Sequence, residues 1–459
     1  MDDRTRIISL KVEGALDRCS GLLREVRRLN TKYYPSAGAS VLLKFVEEAT
    51  ADIQTSLPKE ANRDDLQVLR TDEFELRMQR YCRLVPFLHD ILGLLQGSDV
   101  DSTPAEIIPP LRRLIQSLLP GSEVLIASTN QLNYSITEIA QNIRKVFEAT
   151  PLEQHALTLP PHFFVITIPQ AESDQVLMHG MLSHEAGHGL YAEHKLSDQL
   201  LPGIKIDPEK FESVVRELKR HSQFGAIELR NHITSTVNLT IPNWARELSA
   251  DALGVHIFGP ALLFATIYYT SSFTSLDRVS ESHPPARLRI RLMLLALQES
   301  FKISQFDPVT RDFLESWLRI AKQPISRQTP DFELALASFT DEVLGHVVTL
   351  TQNVVPYRYS QAQYKSDKKE LGEAMVNILP AVEQLNPDTG ALEPTSFVSI
   401  LNAGWYVLLA RFDDFEKNRF RQHEVPTKDK VRRELHAIIR KSFELSEVLR
   451  QWQENSHAA

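Results

Sequence analysis

The segment His184-Glu185-Ala186-Gly187-His188 places two histidines four residues apart, inside the stretch from Gln175 to Tyr191 whose apolar residues recur with helical spacing. Residues at i and i+4 of a helix lie on one face, one turn apart, so both imidazoles can bind one metal ion and Glu185 lies beside that ion. A glycine inside a helix costs about 1 kcal/mol relative to alanine, and Gly187 therefore indicates that another backbone segment approaches closely. The segment predicts a metal site on a helix.

Histidines in this arrangement suit zinc, and we expect one Zn²⁺ per chain. A catalytic zinc ion has three protein ligands and one water ligand, and it lowers the pKa of that water toward about 7. Glu185 is then the natural general base, because it can take a proton from the water during attack on a peptide carbonyl and deliver it to the leaving amine. The alternative interpretation is a surface or core helix that carries the pattern by chance.

A third ligand is required, and the sequence offers two candidates. Glu247 lies in the block Glu247-Leu248-Ser249-Ala250-Asp251, where two carboxylates four residues apart share one helix face. The first can bind zinc, and Asp251 can accept the other ring N–H of a ligand histidine. Glu212, which follows the histidines more closely, is the second candidate. Because a Glu-x-x-x-Asp pair is also common on ordinary polar helix faces, spacing alone does not choose between Glu247 and Glu212.

Three blocks in order resemble the M48 family of gluzincin zinc metallopeptidases: the His184 block, the Glu247 block, and Ser282-His283-Pro284-Pro285-Ala286-Arg287-Leu288-Arg289. Members of that family carry a Glu-x-x-x-Asp block after the histidines, then a Ser/Thr-His-Pro-Pro segment with an Arg six residues beyond its His. His283 and Arg289 stand at that separation. The resemblance covers the region from about Glu123 to Ser300 and is confined to these blocks.

The resemblance implies three zinc ligands, a general base, a residue that supports a ligand histidine, and two residues that stabilise the oxyanion of the tetrahedral intermediate. The zinc ligands would be His184, His188 and Glu247, and Glu185 would be the general base. Asp251 would support a ligand histidine, and His283 and Arg289 would stabilise the oxyanion. The alternative for His283 is a helix-entry residue before two prolines, with Arg289 solvated on the following helix.

A second resemblance competes with the first. The string from His184 to Tyr191 also resembles the M32 carboxypeptidases and M3 oligopeptidases, whose third ligand lies closer and would here be Glu212. We rank this interpretation second, because it leaves the later blocks without a role. The residues from Phe163 to Ile168 resemble the edge strand that zincins pair with an extended substrate, and an interior strand is the alternative.

Composition limits the class of protein. The chain has 459 residues, 42% of them hydrophobic, which suffices for about two to three domains with buried cores. Its formal net charge of -8 argues against nucleic acids or anionic membranes as general partners. With only two cysteines, neither a disulfide framework nor a thiolate metal cluster is expected. We find no export signal and no long apolar run, and we expect a soluble, cytoplasmic protein without a transmembrane segment.

The pattern of apolar residues predicts a mainly α protein with a small β-sheet, of the α+β class. Residues 1–120 are predicted as a helical N-terminal region, residues 121–300 as the metallopeptidase domain, zincin-like by resemblance, and residues 301–459 as a helical C-terminal region. Strands are predicted for Glu123 to Ser128 and for Phe163 to Ile168. A helical run interrupted at Pro86 is predicted for Phe74 to Leu95. One helix each is predicted for Phe332 to Leu350, Phe397 to Phe415 and Lys428 to Gln451. Breaks are predicted at Asp101 to Pro110, Leu119 to Ser122, Pro324 to Pro330, Pro356, and Asn386 to Gly390.

The sequences of the two flanking helical regions show no resemblance to a known family. Their size indicates a cover over the active-site cleft or a surface for a regulatory partner. Within them, Trp405, Tyr406 and Phe412 are interpreted as core residues, and the charges of the helix from Lys428 to Lys441 as a solvated face.

The sequence therefore predicts a zinc-dependent metalloendopeptidase that acts inside the cell on peptides or exposed protein segments. Two alternatives stay open: a peptide-trimming carboxypeptidase or oligopeptidase, and a zinc-stabilised helical interaction protein with little turnover. Three further histidines, His179, His194 and His256, lie near the motifs but not at ligand spacing. We interpret them as structural, with a substrate contact left open for His179.

Overall fold

The chain is described here by a computed structural model that covers residues 3–61, 71–101, 103–148, 150, 152–221, 224–273, 275–326, 328–386, 390–420 and 425–458. It divides into two compact units, Met1–Ser173 and Asp174–Ala459. The boundary between them lies within residues 121–300, and the three-part division of the sequence stays a prediction. The fold class is confirmed: the protein is mainly helical with one three-stranded and one two-stranded sheet.

The first unit contains three long helices, three short helices and a small sheet. Its helices are α1 (Asp3–Leu29), α2 (Ala37–Ala61), α3 (Thr71–Gln96), α4 (Ile108–Leu118), α5 (Ile139–Phe147) and α6 (Glu153–Leu157), and its strands are β1 (Glu123–Thr129), β2 (Ser135–Glu138) and β3 (Phe163–Pro169). Short 3₁₀ turns precede α4 at Ala105–Ile107 and follow β3 at Gln170–Glu172.

The long helices pack through apolar stripes such as Leu22, Val26 and Leu29 of α1. Contrary to prediction, α3 continues through Pro86, which lies on the exposed face. A proline removes one backbone hydrogen bond, and the apolar residues on both sides of it hold the helix together by packing against α1 and α2. Cys19 is buried in this core, and the side chain of Cys82 lies outside the described part.

The three-stranded sheet has the order β1-β3-β2. Strand β3 pairs in parallel with β1 and antiparallel with β2. Its two backbone edges are therefore both hydrogen-bonded, which leaves neither free to bind a substrate strand. Of the two interpretations of Phe163 to Ile168, the interior strand is confirmed and the edge strand is wrong, because β2, which the sequence analysis missed, covers the second edge.

The second unit begins with a 3₁₀ segment, Val176–Met181, and contains most of the helices. Up to residue 300 these are α7 (Leu182–Glu193), α8 (Leu196–Leu200), α9 (Pro208–His221), α10 (Ala226–Phe258), α11 (Pro260–Phe273) and α12 (Ala286–Ser300). They are followed by α13 (Pro308–Ala321), α14 (Pro330–Ser338), α15 (Asp341–Val354), α16 (Gln361–Asp367), α17 (Glu373–Val376), β4 (Glu383–Leu385), β5 (Leu392–Pro394), α18 (Phe397–Ala410), α19 (Phe412–Arg419) and α20 (Lys428–Ala458). Short 3₁₀ turns lie at Leu201–Gly203 and Ile303–Gln305, and a π-helical turn at Lys368–Gly372 joins α16 to α17.

Helix α10 is the central element of this unit, with α7, α11, α12, α14 and α15 packed against it. From Glu247 to Phe258 every residue of α10 is buried. A helix covered on all sides can carry polar side chains only where partners or a bound ion compensate them. The buried carboxylates of α10, Glu247 and Asp251, therefore require partners or a bound ion.

Two segments predicted as single helices are each divided. The segment from Phe332 to Leu350 forms α14 and α15, because the Thr340 side chain caps α15 by accepting from the Val343 N–H at 3.3 Å. The segment from Phe397 to Phe415 is divided at Arg411 into α18 and α19. The segment from Lys428 to Gln451 is one helix, as predicted, and extends to Ala458.

Three predicted breaks coincide with described helix ends, the break from Asn386 to Gly390 lies between β4 and β5, and the break from Asp101 to Pro110 is helical from Ala105 onward. Thus β1 follows the turn at Leu119 to Ser122, where Gly121 has a φ of 79°, and α15 ends before Pro356. Parts of three predicted breaks, Ser102, Arg327 and residues 387–389, lie outside the described residues. Within the described ranges, no helix has the length and hydropathy needed to cross a lipid bilayer.

Candidate metal centre

Three predicted metal ligands come together where α7 packs against α10. His184 and His188 lie one turn apart on α7, and Glu247 faces them from α10. The His184 Nε2 atom is 3.3 Å from Glu247 Oε2, and the His188 Nε2 atom is 3.4 Å from Glu247 Oε1. The three ligand atoms lie within 4.8 Å of one another, so this group could bind one metal ion. Among the residues that the structure describes, no other group of three such side chains meets the same condition.

The chemistry of the donor set fits a cation. Glu247 is buried, with 3% of its surface exposed, and its Oε2 atom has no hydrogen-bond partner within the described structure. A buried carboxylate oxygen without a donor is costly unless a positive charge compensates it. Two imidazole nitrogens converge on the same carboxylate, which is the environment expected around a bound ion.

Glu212, the competing ligand, lies elsewhere. It is on α9, where its two oxygens each accept a 2.6 Å hydrogen bond from Arg230. Its side chain is 44% exposed, and it is absent from the group of residues that could bind a metal. Because this carboxylate is already paired with a guanidinium and faces solvent, it is not positioned to be the third metal ligand.

Asp251 lies one turn after Glu247 and holds the other side of the His184 ring. Its Oδ1 atom is 2.8 Å from His184 Nδ1 and accepts a hydrogen bond from Arg289 Nη2 at 2.7 Å, while its Oδ2 atom accepts one from Arg289 Nε at 2.8 Å. Contact of this kind fixes the orientation of a ligand imidazole, with Nε2 directed toward the ion. Arg289 was predicted to bind an oxyanion, and its guanidinium instead lies against Asp251. The oxyanion role of Arg289 stays a prediction.

The ion pair keeps a fully buried carboxylate charged. Burial by itself would raise the pKa of Asp251, but the Arg289 guanidinium and His184 outweigh it and hold that pKa below its usual value. For His184, burial disfavours the charged ring, yet Asp251 raises its pKa to about 10. Burial lowers the pKa of His188 to about 3. Because a metal ligand must offer a deprotonated ring nitrogen, metal binding at the His184 Nε2 atom would be coupled to proton release.

Glu185 lies on α7 between the two histidines and is 7% exposed. Burial alone would lower the pKa of Arg289, but the negative charges of Asp251, Glu247 and, to a smaller extent, Glu185 raise it. The carboxylate therefore belongs to the same electrostatic cluster as the ligands.

His283 reaches the site from the loop between α11 and α12. Its Nε2 atom is 3.8 Å from Glu247 Oε2, and 58% of its side chain is exposed. Its Nδ1 atom is 2.8 Å from the Ser282 hydroxyl. When that hydroxyl donates to Nδ1, the neutral ring carries its proton on Nε2, the atom that faces the site. Burial lowers the pKa of His283 and favours this neutral form.

The loop that carries His283 is anchored by residues that the sequence analysis did not identify. Trp244 Nε1 donates to the Ser280 carbonyl at 2.9 Å, and Asn243 Nδ2 donates to the Glu281 carbonyl at 3.2 Å. Trp244 is fully buried and precedes Glu247 by one helical turn. One segment of α10 therefore supplies a ligand and fixes the loop.

The histidines outside the motifs have different environments. His179 is completely buried, and burial lowers its pKa to about 3. His256 is also buried, with Nε2 3.4 Å from the Val348 carbonyl. His194 is exposed at the end of α7. The burial of His179 agrees with the structural interpretation, and the substrate contact left open for it stays a prediction.

Gly187 makes the close approach of α7 and α10 geometrically feasible. A Cβ atom at this position would lie 2.5 Å from the Ala250 carbonyl oxygen and 2.8 Å from the Ala250 Cα atom. Both contacts are with backbone, which cannot rotate away. The glycine therefore sets the separation of the two helices that carry the metal ligands.

We expect Gly187→Ala to destabilise the fold by about 1–3 kcal/mol, because the extra methyl group overpacks a helix contact. Thermal unfolding followed by circular dichroism measures the effect. Gly345→Ala is the matched control: Gly345 is exposed on α15 and a Cβ there meets nothing within 4 Å. It should stabilise the protein by about 0.5–1 kcal/mol through helix propensity. Equal melting temperatures for the two variants would contradict the assigned role of Gly187.

Compared with protein-family models, with curated proteins and with solved structures, the chain shows no match. Its function must therefore be inferred from the arrangement of its own side chains.

Proposed function

We propose that this protein is a zinc-dependent metallopeptidase that cleaves peptide bonds within peptides or exposed protein segments. The observation that carries the proposal is the convergence of His184, His188 and Glu247, with Glu185 beside them on the same helix. A site built only to stabilise a fold does not require a carboxylate between its two histidine ligands. Membership of an M48-like group, suggested by the order of the three sequence blocks, is part of this proposal.

Zinc is the metal that the donor set favours. Two imidazole nitrogens and one carboxylate oxygen form the usual protein ligands of a catalytic zinc ion with an open fourth position. Calcium and magnesium prefer shells made of oxygen atoms, and two histidines disfavour both. When bound, zinc would supply a Lewis acid that polarises the substrate carbonyl and lowers the pKa of a water ligand.

The residues of the chain then divide the remaining tasks. Glu185 accepts the proton of the attacking water and returns it to the amine that leaves when the C–N bond breaks. His283, through its Nε2 proton, donates to the oxygen of the tetrahedral intermediate and stabilises its negative charge. Asp251, held by Arg289, keeps the His184 ring in its ligand orientation. Arg289 positions Asp251 in this assignment, and its predicted contact with the oxyanion is carried forward as part of the proposal.

The alternative ligand set loses its support, because Glu212 is paired with Arg230 at 2.6 Å. Glu212, the third ligand that the M32 or M3 arrangement would need, therefore already forms an ion pair with Arg230. The endopeptidase assignment, with cytoplasmic action and a regulatory partner on the helical regions, is carried forward as part of the proposal.

Metal removal tests the function directly. The purified chain is treated with a chelator, dialysed, and incubated with a diverse peptide library, with and without one equivalent of zinc, and the products are read by mass spectrometry. We expect cleavage to disappear on chelation and to return with zinc, while magnesium fails to restore it. Absence of cleavage by the zinc-loaded protein, or cleavage that survives chelation, would refute the proposal.

A further inference from the structure

A cleft in the second unit shares no lining residue with the metal centre. Its volume is about 430 Å³, and its walls come from α11, α13, α18 and α20, with Phe412 at the start of α19. Small-molecule sites have volumes of roughly 300–1,000 Å³ and are lined mainly by apolar side chains. The cleft therefore has the size and the surface of a ligand site.

One wall of the cleft is a continuous row of aromatic rings. The ring centroids of Phe264 and Trp405 are 5.8 Å apart, as are those of Phe264 and Phe313. The row continues to Tyr268, 6.3 Å from Trp405, and to Trp317, 6.4 Å from Phe313. Phe264 and Trp405 are buried, whereas 38% of Tyr268 is exposed. The sequence interpretation of Trp405 as a core residue is confirmed, since only 2% of it is exposed.

The charged residues that line the cleft are both cationic. Lys428 and Arg432 lie one turn apart on α20, and no Asp or Glu is among the described lining residues. Arg432 has a weak partner, Asp429, whose carboxylate is 3.8 Å away and 84% exposed. Within the described part of the chain, no carboxylate pairs with Lys428. Two cations at the edge of an apolar cleft attract an anionic group, and a guanidinium can bind a carboxylate through two parallel hydrogen bonds.

We propose that this cleft binds a small carboxylic acid with an aromatic or aliphatic body. The carboxylate is held by Lys428 and Arg432, the body lies against the aromatic wall, and the Ser271 and Ser272 hydroxyls border the entrance. An uncharged apolar molecule would leave both cations unused, and a highly charged phosphate ester would meet mostly apolar surface. The site is independent of the proposed peptidase activity.

The cleft also adjoins the segment that leads to the metal-binding helix. Trp405 Nε1 donates to the Leu177 carbonyl at 3.2 Å, and Leu177 lies in the 3₁₀ segment immediately before α7. One residue of the cleft wall, Trp405, is therefore hydrogen-bonded to the segment that precedes α7.

Calorimetric titration of the full chain tests the proposal with four probes: naphthoate, decanoate, and the neutral naphthamide and decanol. We expect saturable binding of at least one carboxylate, at least about tenfold tighter than its neutral counterpart. The aromatic and aliphatic arms identify which body the cleft prefers. Combined Lys428→Gln and Arg432→Gln substitution should weaken carboxylate binding about tenfold and leave neutral binding unchanged, because only charge-assisted hydrogen bonds are lost. Arg433→Gln, an exposed neighbour on α20, is the matched control and should bind as wild type does.

A second variant tests the location of the site. Ser271 is exposed at the cleft, so Ser271→Trp can fill the volume without removing a core side chain, and Ser271→Ala is its control. The tryptophan variant should abolish binding of all four probes at an unchanged melting temperature. Absence of saturable carboxylate binding by wild type, or carboxylate binding that survives either the double substitution or Ser271→Trp in folded protein, would overturn the proposal. Equal affinity for neutral and charged probes would overturn it as well, and would point to an apolar docking surface for another chain.

Discussion

Replacing Glu185 by glutamine is expected to lower kcat/KM for a cleaved peptide by about 10²- to 10⁴-fold while the zinc content stays at one ion per chain. Glutamine has nearly the size of glutamate, and it preserves the packing of a residue that is 7% exposed. It cannot accept the proton of the attacking water, whereas His184, His188 and Glu247 are unchanged. Peptide cleavage assays combined with elemental analysis measure both quantities on the same sample.

The matched control is Glu193→Gln, at the exposed end of the same helix. It removes one negative charge from α7 about two helical turns after Glu185, so that the proposed base is unchanged. The activity of this variant should equal that of wild type. A Glu185→Gln protein that cleaves at the wild-type rate would refute the role of Glu185. If both wild type and the variant bind zinc and neither cleaves any peptide, the zinc-stabilised interaction protein becomes the better description.

The local parts of this structure could be predicted from the sequence because their causes are local. The metal-binding helix follows from histidines and apolar residues at helical spacing, and α7 begins at Leu182 and includes the whole motif. The strands β1 and β3 follow from β-branched and aromatic runs, and both lie where they were predicted. In each case the residues that determine the structure lie close together in the sequence.

The pairing between distant segments could not be predicted in the same way. Strand β2 is a short polar segment, Ser135–Glu138, and only its register with β3 makes it a strand. The Asp251–Arg289 pair joins α10 to α12, and nothing in either segment indicates that the guanidinium lies against this carboxylate. The resemblance gave the identities of both residues, but only the folded chain shows their contact.

The third ligand shows how the two kinds of inference differ. Glu247 and Glu212 were both compatible with the sequence, since each lies on a helix after the histidines. Tertiary structure separates them, because α10 is buried against α7 whereas α9 presents Glu212 to Arg230 and solvent. Sequence order therefore defined the candidates, and helix packing selected one.

Replacing Glu247 by alanine is accordingly expected to remove zinc binding, and with it all peptide cleavage. Loss of an outer partner of a metal ligand typically weakens metal affinity by about 10–100-fold, and loss of the ligand itself should exceed that. The remaining two imidazoles leave a site with one ligand fewer than catalytic zinc requires. Competition against a fluorescent zinc chelator measures the affinity of wild type and variant under one set of conditions.

Glu212→Ala provides the matched control, because it removes a carboxylate that is 44% exposed and paired with Arg230. Its zinc affinity and peptidase activity should match those of wild type, since an exposed ion pair contributes only about 0–1 kcal/mol to stability. Truncation of the buried Glu247 could also disturb folding, so Glu247→Gln, which keeps the volume and removes the charge, is measured beside it with thermal unfolding in the absence of metal. A folded Glu247→Gln or Glu247→Ala protein that retains wild-type zinc affinity would exclude Glu247 as the third ligand. Loss of zinc from Glu212→Ala would instead restore the M32-like arrangement that the packing of α7 against α10 disfavours.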